Sequence, residues 1–163
     1  MLTKKVEEIC NRQIEREGYS SNLYLAMASW AETKGMAGIA AWLFAQSDEE
    51  RMHTLKFIKY VNERGGNAVV PEFKKPPVKY KGIPELFAEV LKHEQYITAS
   101  INEVLETAVT EKDHATTNWI QWFVKEQMEE ENSVQQIIDK LQLAGQHGDY
   151  FLDRDIMRLR DAK

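Results

Sequence analysis

Apolar residues recur at intervals of three and four along four long stretches of the chain, the spacing of amphipathic helices. The first stripe, Val6, Cys10, Ile14, Glu17, Ser21, Tyr24, Ala28 and Ala31, predicts a helix over 3–34. Thr3 stands at its start as an N-cap, acidic Glu7 and Glu8 follow, and Gly35 ends it. Gly18 inside this stretch is a mild weakness, costing about 1 kcal/mol against Ala if exposed. The second stripe, Ile39, Leu43, Ser47, Glu50, Thr54, Phe57 and Val61, predicts a helix over 37–64, closed by Gly65-Gly66. The tight turn between these two helices makes them antiparallel neighbours. The third stripe, Phe87, Val90, Glu94, Ile97, Ile101, Val104 and Ala108, predicts a helix over 84–111 with Pro84 near its first position. The fourth, Ile120, Phe123, Gln127, Glu130, Val134, Ile137 and Leu141, predicts a helix over 114–144 capped by Gly145. A short amphipathic stretch, 149–160, carries Tyr150, Phe151, Ile156, Met157 and Leu159. It is too short to be stable alone and is expected to dock on the bundle or on another subunit.

Residues 65–81 differ in kind. Pro71, Pro76, Pro77 and two glycines break any period, with Val69, Val70, Phe73, Val78 and Tyr80 scattered among lysines. Roughly 17 residues, extended, span up to roughly 55–60 Å, whereas a helix of about 28 residues is roughly 42 Å long. This connection can therefore cross the full length of a bundle and start the third helix from the far end. The expected fold class is all-α: a four-helix bundle with one long crossover connection and a short fifth C-terminal helix, as one domain over 1–163.

Composition narrows the function. A chain of 163 residues that is 43% apolar is neither disordered nor too small for a real core. A formal net charge of -5 argues against a nucleic-acid binder that works through a basic face and is compatible with handling cations. One cysteine, Cys10, excludes a disulfide framework and Cys-rich zinc or iron–sulfur sites; its place on an apolar stripe predicts a small buried core residue. Met-Leu-Thr-Lys-Lys leads straight into an amphipathic pattern with no apolar signal region, and no run approaches the roughly 18 apolar residues of a membrane span. A cytoplasmic protein without membrane or nucleic-acid partners is the expectation.

Against this pattern the polar residues at core positions stand out. Glu50 and His53 lie three apart and share an inward helix face. Glu-x-x-His projecting inward is a half-site for a carboxylate-bridged metal pair. Glu17, Glu94, and Gln127 with Glu130 occupy the middles of the other three stripes, and antiparallel helices bring their middles level. Ionised carboxylates converging in one slab need positive compensation. No Lys or Arg occupies these stripe positions, which leaves bound cations. Hard oxygens with one imidazole suit iron or manganese, tolerate zinc and do not suit soft copper. Tyr24, one heptad after Glu17, reads either as core packing or as a phenol beside the ligands.

The run Lys125-Glu126-Gln127-Met128-Glu129-Glu130-Glu131 adds an acidic cluster. Glu126 and Glu129, with Glu49 beside Glu50, read either as a side metal site or as a solvated acidic face. Trp30, Trp42, Trp119 and Trp122 read as packing and interface residues. His93, His114 and His147 lack an inward partner at ligand spacing.

The segments Glu17-Gly-Tyr-Ser-Ser-Asn-Leu-Tyr24, Asp48-Glu49-Glu50-Arg-Met-His53, Glu94 and Glu126-Gln-Met-Glu-Glu-Glu131 resemble the ferritin family, bacterial non-haem ferritins in particular. The resemblance covers essentially the whole chain, including the Gly/Pro crossover and Ile138–Gly145. It implies a ferritin-like bundle whose subunits form hollow shells of 24. It also implies a di-iron ferroxidase centre that oxidises Fe(II) with dioxygen or peroxide and stores the ferric mineral in the cavity. By matching motif, Glu17, Glu50 and His53 would hold the first iron. Glu50, Glu94 and Glu130 would hold the second, with Gln127 nearby. Glu49, Glu126, Glu129 and Glu130 match a third iron site, and Tyr24 matches a tyrosine beside the centre acting as electron donor or hydrogen-bond partner. The short last helix would line four-fold contacts.

Neighbouring families fit less well. Bacterioferritins carry Glu-x-x-His on the second and fourth helices and a haem-binding Met just after the bridging Glu. Here the fourth helix reads Gln127-x-x-Glu130, Arg51 follows Glu50, and Met52 is on another face, so no haem is expected. Rubrerythrins need a Cys-x-x-Cys module, which one cysteine excludes. The DNA-protecting relatives place their metal between subunits. A di-iron oxidase or peroxidase acting outside iron storage is the alternative function, and an inert helical bundle the third.

Overall fold

The computed structural model describes residues 1–161; the last two positions of the expected 1–163 domain lie outside the described residues. Five α-helices account for most of it: α1 (Lys4–Thr33), α2 (Ala37–Glu63), α3 (Ile83–Thr110), α4 (His114–Ala144) and α5 (Gly148–Asp161). A single 3₁₀ turn, Gly145–His147, joins α4 to α5. Among the described residues there is no β-strand, and no helix is long and apolar enough to cross a membrane.

Local chemistry sets the helix ends. The Thr3 hydroxyl accepts from Val6 N–H at the start of α1, and the Asp113 carboxylate accepts from Thr116 N–H at the start of α4. These satisfy amide donors that the first helical turn leaves without carbonyl partners. Gly35 (φ +74°) and Gly65 (φ +76°) follow α1 and α2 in the left-handed region, where a side chain would be strained.

Side-chain pairings give the topology. The turn of residues 34–36 and the Ser21–Ser47 bond make α1 and α2 antiparallel, and Gln46–Glu130 with Tyr60–Thr116 sets α2 antiparallel to α4. Arg16–Glu103 and Lys5–Glu111 set α3 antiparallel to α1. The result is a four-helix bundle in which α2 and α3 run the same way. That order requires the crossover, which lies along α1: Val69 N–H donates to Asn11 Oδ1, Phe73 presses on Gly18, and Tyr80 packs on Trp30. Gly18 is therefore buried. A β-carbon there would collide with the Phe73 ring. The residue that reads as a weakness in sequence is a point of close approach.

Two apolar regions flank the middle of the bundle. One is built on Met27, Trp42, Leu43, Phe87 and Val90; the other, containing Cys10, is built on Ile14, Phe57, Ile101 and Phe123. Between them lies the band of buried polar residues. The fifth helix docks on α2 and α4 through Leu152 and Ile156, and Asp153 accepts from Ile39 N–H.

Candidate metal centre

Glu50 and His53 sit one turn apart on α2, and Glu17 faces them from α1; all three are at most 2% exposed. His53 Nδ1 lies 3.3 Å from Glu50 Oε2 and 3.8 Å from Glu17 Oε2. One donor atom from each residue falls within 4.8 Å of the others. The apolar bands above and below hold these side chains in place, and Phe123 and Trp122 pack against the His53 ring.

Glu94 (α3) and Glu130 (α4) are fully buried in the same band. The Tyr24 hydroxyl donates to Glu94 Oε1. Gln127 Nε2 donates to Glu94 Oε2 at 3.1 Å and to the Glu94 carbonyl at 3.3 Å. Gln127 thus acts on Glu94 as a donor. Glu130 Oε2 accepts from Gln46 Nε2 at 2.9 Å.

The electrostatics are those of acids crowded in a dry slab. Burial, then the neighbouring Glu50, holds the Glu17 carboxyl well above the usual range; burial, then Glu94, does the same to Glu50. Burial and Glu130 push Glu94 up to about 7. Burial and Glu94 raise the Tyr24 phenol. Glu17 Oε2, Glu50 Oε1 and Gln13 Oε1 are buried with no hydrogen-bond partner. Buried acceptors are normally paired. Here two unpaired carboxylate oxygens beside an imidazole form a donor set that a hard or borderline cation satisfies.

A second group, Glu49, Glu126 and Glu130, also brings one oxygen from each within 4.8 Å. It is only partly buried at Glu49 and Glu126, and burial raises the Glu126 carboxyl. Glu130 therefore borders both groups. Glu129 is not brought in: its side chain is half exposed and pairs with Lys125 at 3.5 Å.

Several residues at the site escape the sequence pattern. Gln13, fully buried, donates to Glu17 Oε1 at 2.7 Å; its place four residues before Glu17 is the signal that could have found it. Gln46 is equally buried, four residues before Glu50. Arg160 reaches from α5, donating to Glu49 Oε2 at 2.7 Å and to Gln46 Oε1. Positive compensation thus comes partly from outside the four helices. His93 bonds Ser20 Oγ at 2.7 Å behind Tyr24, and burial lowers it to about 4. Met52, next to Arg51, is exposed on the surface.

The Ferritin-like domain family matches residues 7–144. A bacterial non-heme ferritin of Campylobacter jejuni is 41% identical over 161 residues, covering 98% of this chain and 96% of its own. One from Escherichia coli O6:H1 is 39% identical, covering 98% of each. Among solved structures, an open pore ferritin from the archaeon Archaeoglobus fulgidus superposes with a TM-score of 0.93 at 40% identity, covering 95% of this chain and 97% of its own.

Proposed function

Because the chain belongs to the ferritin family, we propose that it is an iron-storing ferroxidase. Its substrates are Fe(II) and dioxygen or peroxide. Its product is a ferric mineral held inside a hollow homo-oligomeric shell, of the size that the family resemblance implies, in the cytoplasm. The observation that carries this reading is the Glu17–Glu50–His53 group, with Glu17 Oε2 and Glu50 Oε1 buried and unpaired.

In this reading Glu17, Glu50 and His53 bind one Fe(II), and Glu50, Glu94 and Glu130 bind the second. Carboxylates favour Fe(III) over Fe(II) and so draw the ion toward oxidation. Two Fe(II) give up one electron each, which reduces one dioxygen to the level of peroxide. Gln127 and Tyr24 hold Glu94 in position by donating to its two oxygens, and Gln13 does the same for Glu17. A single imidazole among carboxylates binds iron moderately, as a site that passes iron onward requires. Glu49, Glu126 and Glu130 take a third iron; Glu129, on the neighbouring turn, joins by turning away from Lys125.

Aerobic Fe(II) titration, followed by ferric absorbance with sedimentation of the same sample, tests the reading. Fast oxidation saturating at about two to three Fe(II) per chain, in a particle of shell size, supports it. Oxidation no faster than in buffer, or a monomer or dimer, overturns it. Fast oxidation by a small particle would point to a di-iron oxidase acting outside storage.

A further inference from the structure

We propose that Arg160 is a latch on the Glu49–Glu126–Glu130 cluster, displaced when a metal cation binds there, so that occupancy of the cluster and seating of the last turn of α5 oppose each other. The inference rests on the metal-centre reading above and concerns a residue that the reading does not use.

Arg160 is four-fifths buried in its side chain and reaches the cluster through one terminal nitrogen, while the other holds Gln46 beside it. One, NH2, donates to Glu49 Oε2 at 2.7 Å and to the Ala45 carbonyl at 3.4 Å. The other, NH1, donates to Gln46 Oε1. That second contact fixes the Gln46 amide: with its oxygen taken by the guanidinium, its nitrogen must face Glu130, where it donates to Oε2 at 2.9 Å. One cation on α5 thus holds two of the three carboxylates, Glu49 directly and Glu130 through Gln46. The guanidinium is thus a positive charge in direct contact with the cluster, beside Lys56, whose ammonium feels Glu126 and Glu49 without a contact as close.

A metal ion on Glu49 and Glu130 competes for the same carboxylates and repels the guanidinium at close range. When Arg160 leaves, Gln46 is free to turn, and its bond to Glu130 Oε2 can break in the same event. Apart from Arg160, the last turn of α5 is held by Leu159, which is only partly buried against the core, so its seating leans on the Arg160 contacts. The anchors nearer its start, Leu152, Ile156 and the Asp153–Ile39 contact, do not depend on Arg160. The coupling is reciprocal, as linkage requires: a well-seated α5 weakens the cluster's hold on metal, and metal loosens α5.

Calorimetric titration of the assembled, iron-free protein with Zn²⁺, which is redox-inert, tests this. The weakest class of sites should tighten by about tenfold in Arg160→Gln and be absent in Glu49→Gln. Unchanged or weaker binding in Arg160→Gln, with the Glu49-dependent class still present, overturns the latch alone. Failure of the wild-type protein to bind Zn²⁺ at all overturns the metal-centre reading and the latch with it. A readout that needs no variant is hydrogen exchange in the wild type. Backbone amides of Arg158–Arg160 should exchange faster once Zn²⁺ fills the weakest class, and unchanged protection there also overturns the proposal.

Discussion

Glu17 Oε2 and His53 Nδ1 stand 3.8 Å apart across the interface of α1 and α2, too far for a hydrogen bond and close enough for one cation to touch both. Glu17 Oε2 accepts no hydrogen bond there, and its carboxyl instead crowds against that of Glu50. In the proposed reading a metal ion fills this gap, and the metal-free protein carries the cost of leaving it unfilled.

Replacing Glu50 by Gln exposes that cost. The change removes an acid buried beside Glu17 and Glu94 while keeping its size. Metal-free Glu50→Gln should be more stable than the metal-free wild type by about 1–3 kcal/mol. It should also lose rapid Fe(II) oxidation. Chemical unfolding in the presence of a chelator, with an aerobic oxidation assay on the same preparation, checks both. A metal-free variant less stable than wild type would show that Glu50 has a structural role.

Gln13 is the residue through which Glu17 is aimed. Its Nε2 donates to Glu17 Oε1 at 2.7 Å from a fully buried position. Gln13→Leu keeps the volume and removes the donor. Zn²⁺ affinity at the Glu17–Glu50–His53 group should fall about 10–100-fold, with the fold intact by circular dichroism. Unaltered affinity would mean that Glu17 is held by its helix alone.

Gly18 and Phe73 define where the crossover meets the bundle. In Gly18→Ala the new β-carbon meets Phe73 Cε1 and Cζ. The gain in helix propensity, about 1 kcal/mol, is offset by displacing a ring and the connection behind it. Net destabilisation of about 1–2 kcal/mol is expected. Adding Phe73→Leu should recover most of it, because the shorter side chain leaves room. Urea unfolding of the single and double variants decides; a stabilised Gly18→Ala would show that the crossover lifts away freely.

The helical period made the bundle and its inward acids legible. A residue on a 3.6-residue stripe has its direction fixed by its position, and Glu17, Glu50, His53, Glu94 and Glu130 all lie buried where their stripes put them. Period says nothing about which way a side chain turns once it is there. Glu129 lies three residues from Glu126, yet its carboxylate pairs with Lys125 and does not join the Glu49–Glu126–Glu130 group. Arg160 could not be read at all, since its reach depends on how α5 docks. That angle is set by Leu152, Ile156 and the Asp153–Ile39 contact, which only the folded chain brings together. Gln13 and Gln46 were missed for a simpler reason. Both lie one turn before a buried glutamate of the candidate site, and only that offset, not the residue type, marks them.

Far from the site, Asp113 gives the bundle a pH-dependent joint. Its carboxylate caps α4, accepting from Thr116 N–H at 3.1 Å and Thr116 Oγ1 at 2.8 Å, and takes Arg64 NH2 of the α2 terminus at 3.0 Å. Burial pushes this carboxyl up, but the Thr116 amide and hydroxyl and the Arg64 guanidinium outweigh it and hold it below its ordinary value. A depressed folded value means that the unfolded chain binds the extra proton, so the stabilisation is complete above the unfolded value of about 3.9. It is lost as pH falls through the folded value. Asp113→Asn keeps a cap but loses the charge, and should cost about 1 kcal/mol at neutral pH. That deficit should stay constant from about pH 5 to 8 and close below about pH 4. Paired denaturation curves of wild type and Asp113→Asn across this range measure it. A gap that persists unchanged at pH 3 would show that the capping geometry, and not the charge, holds α2 to α4.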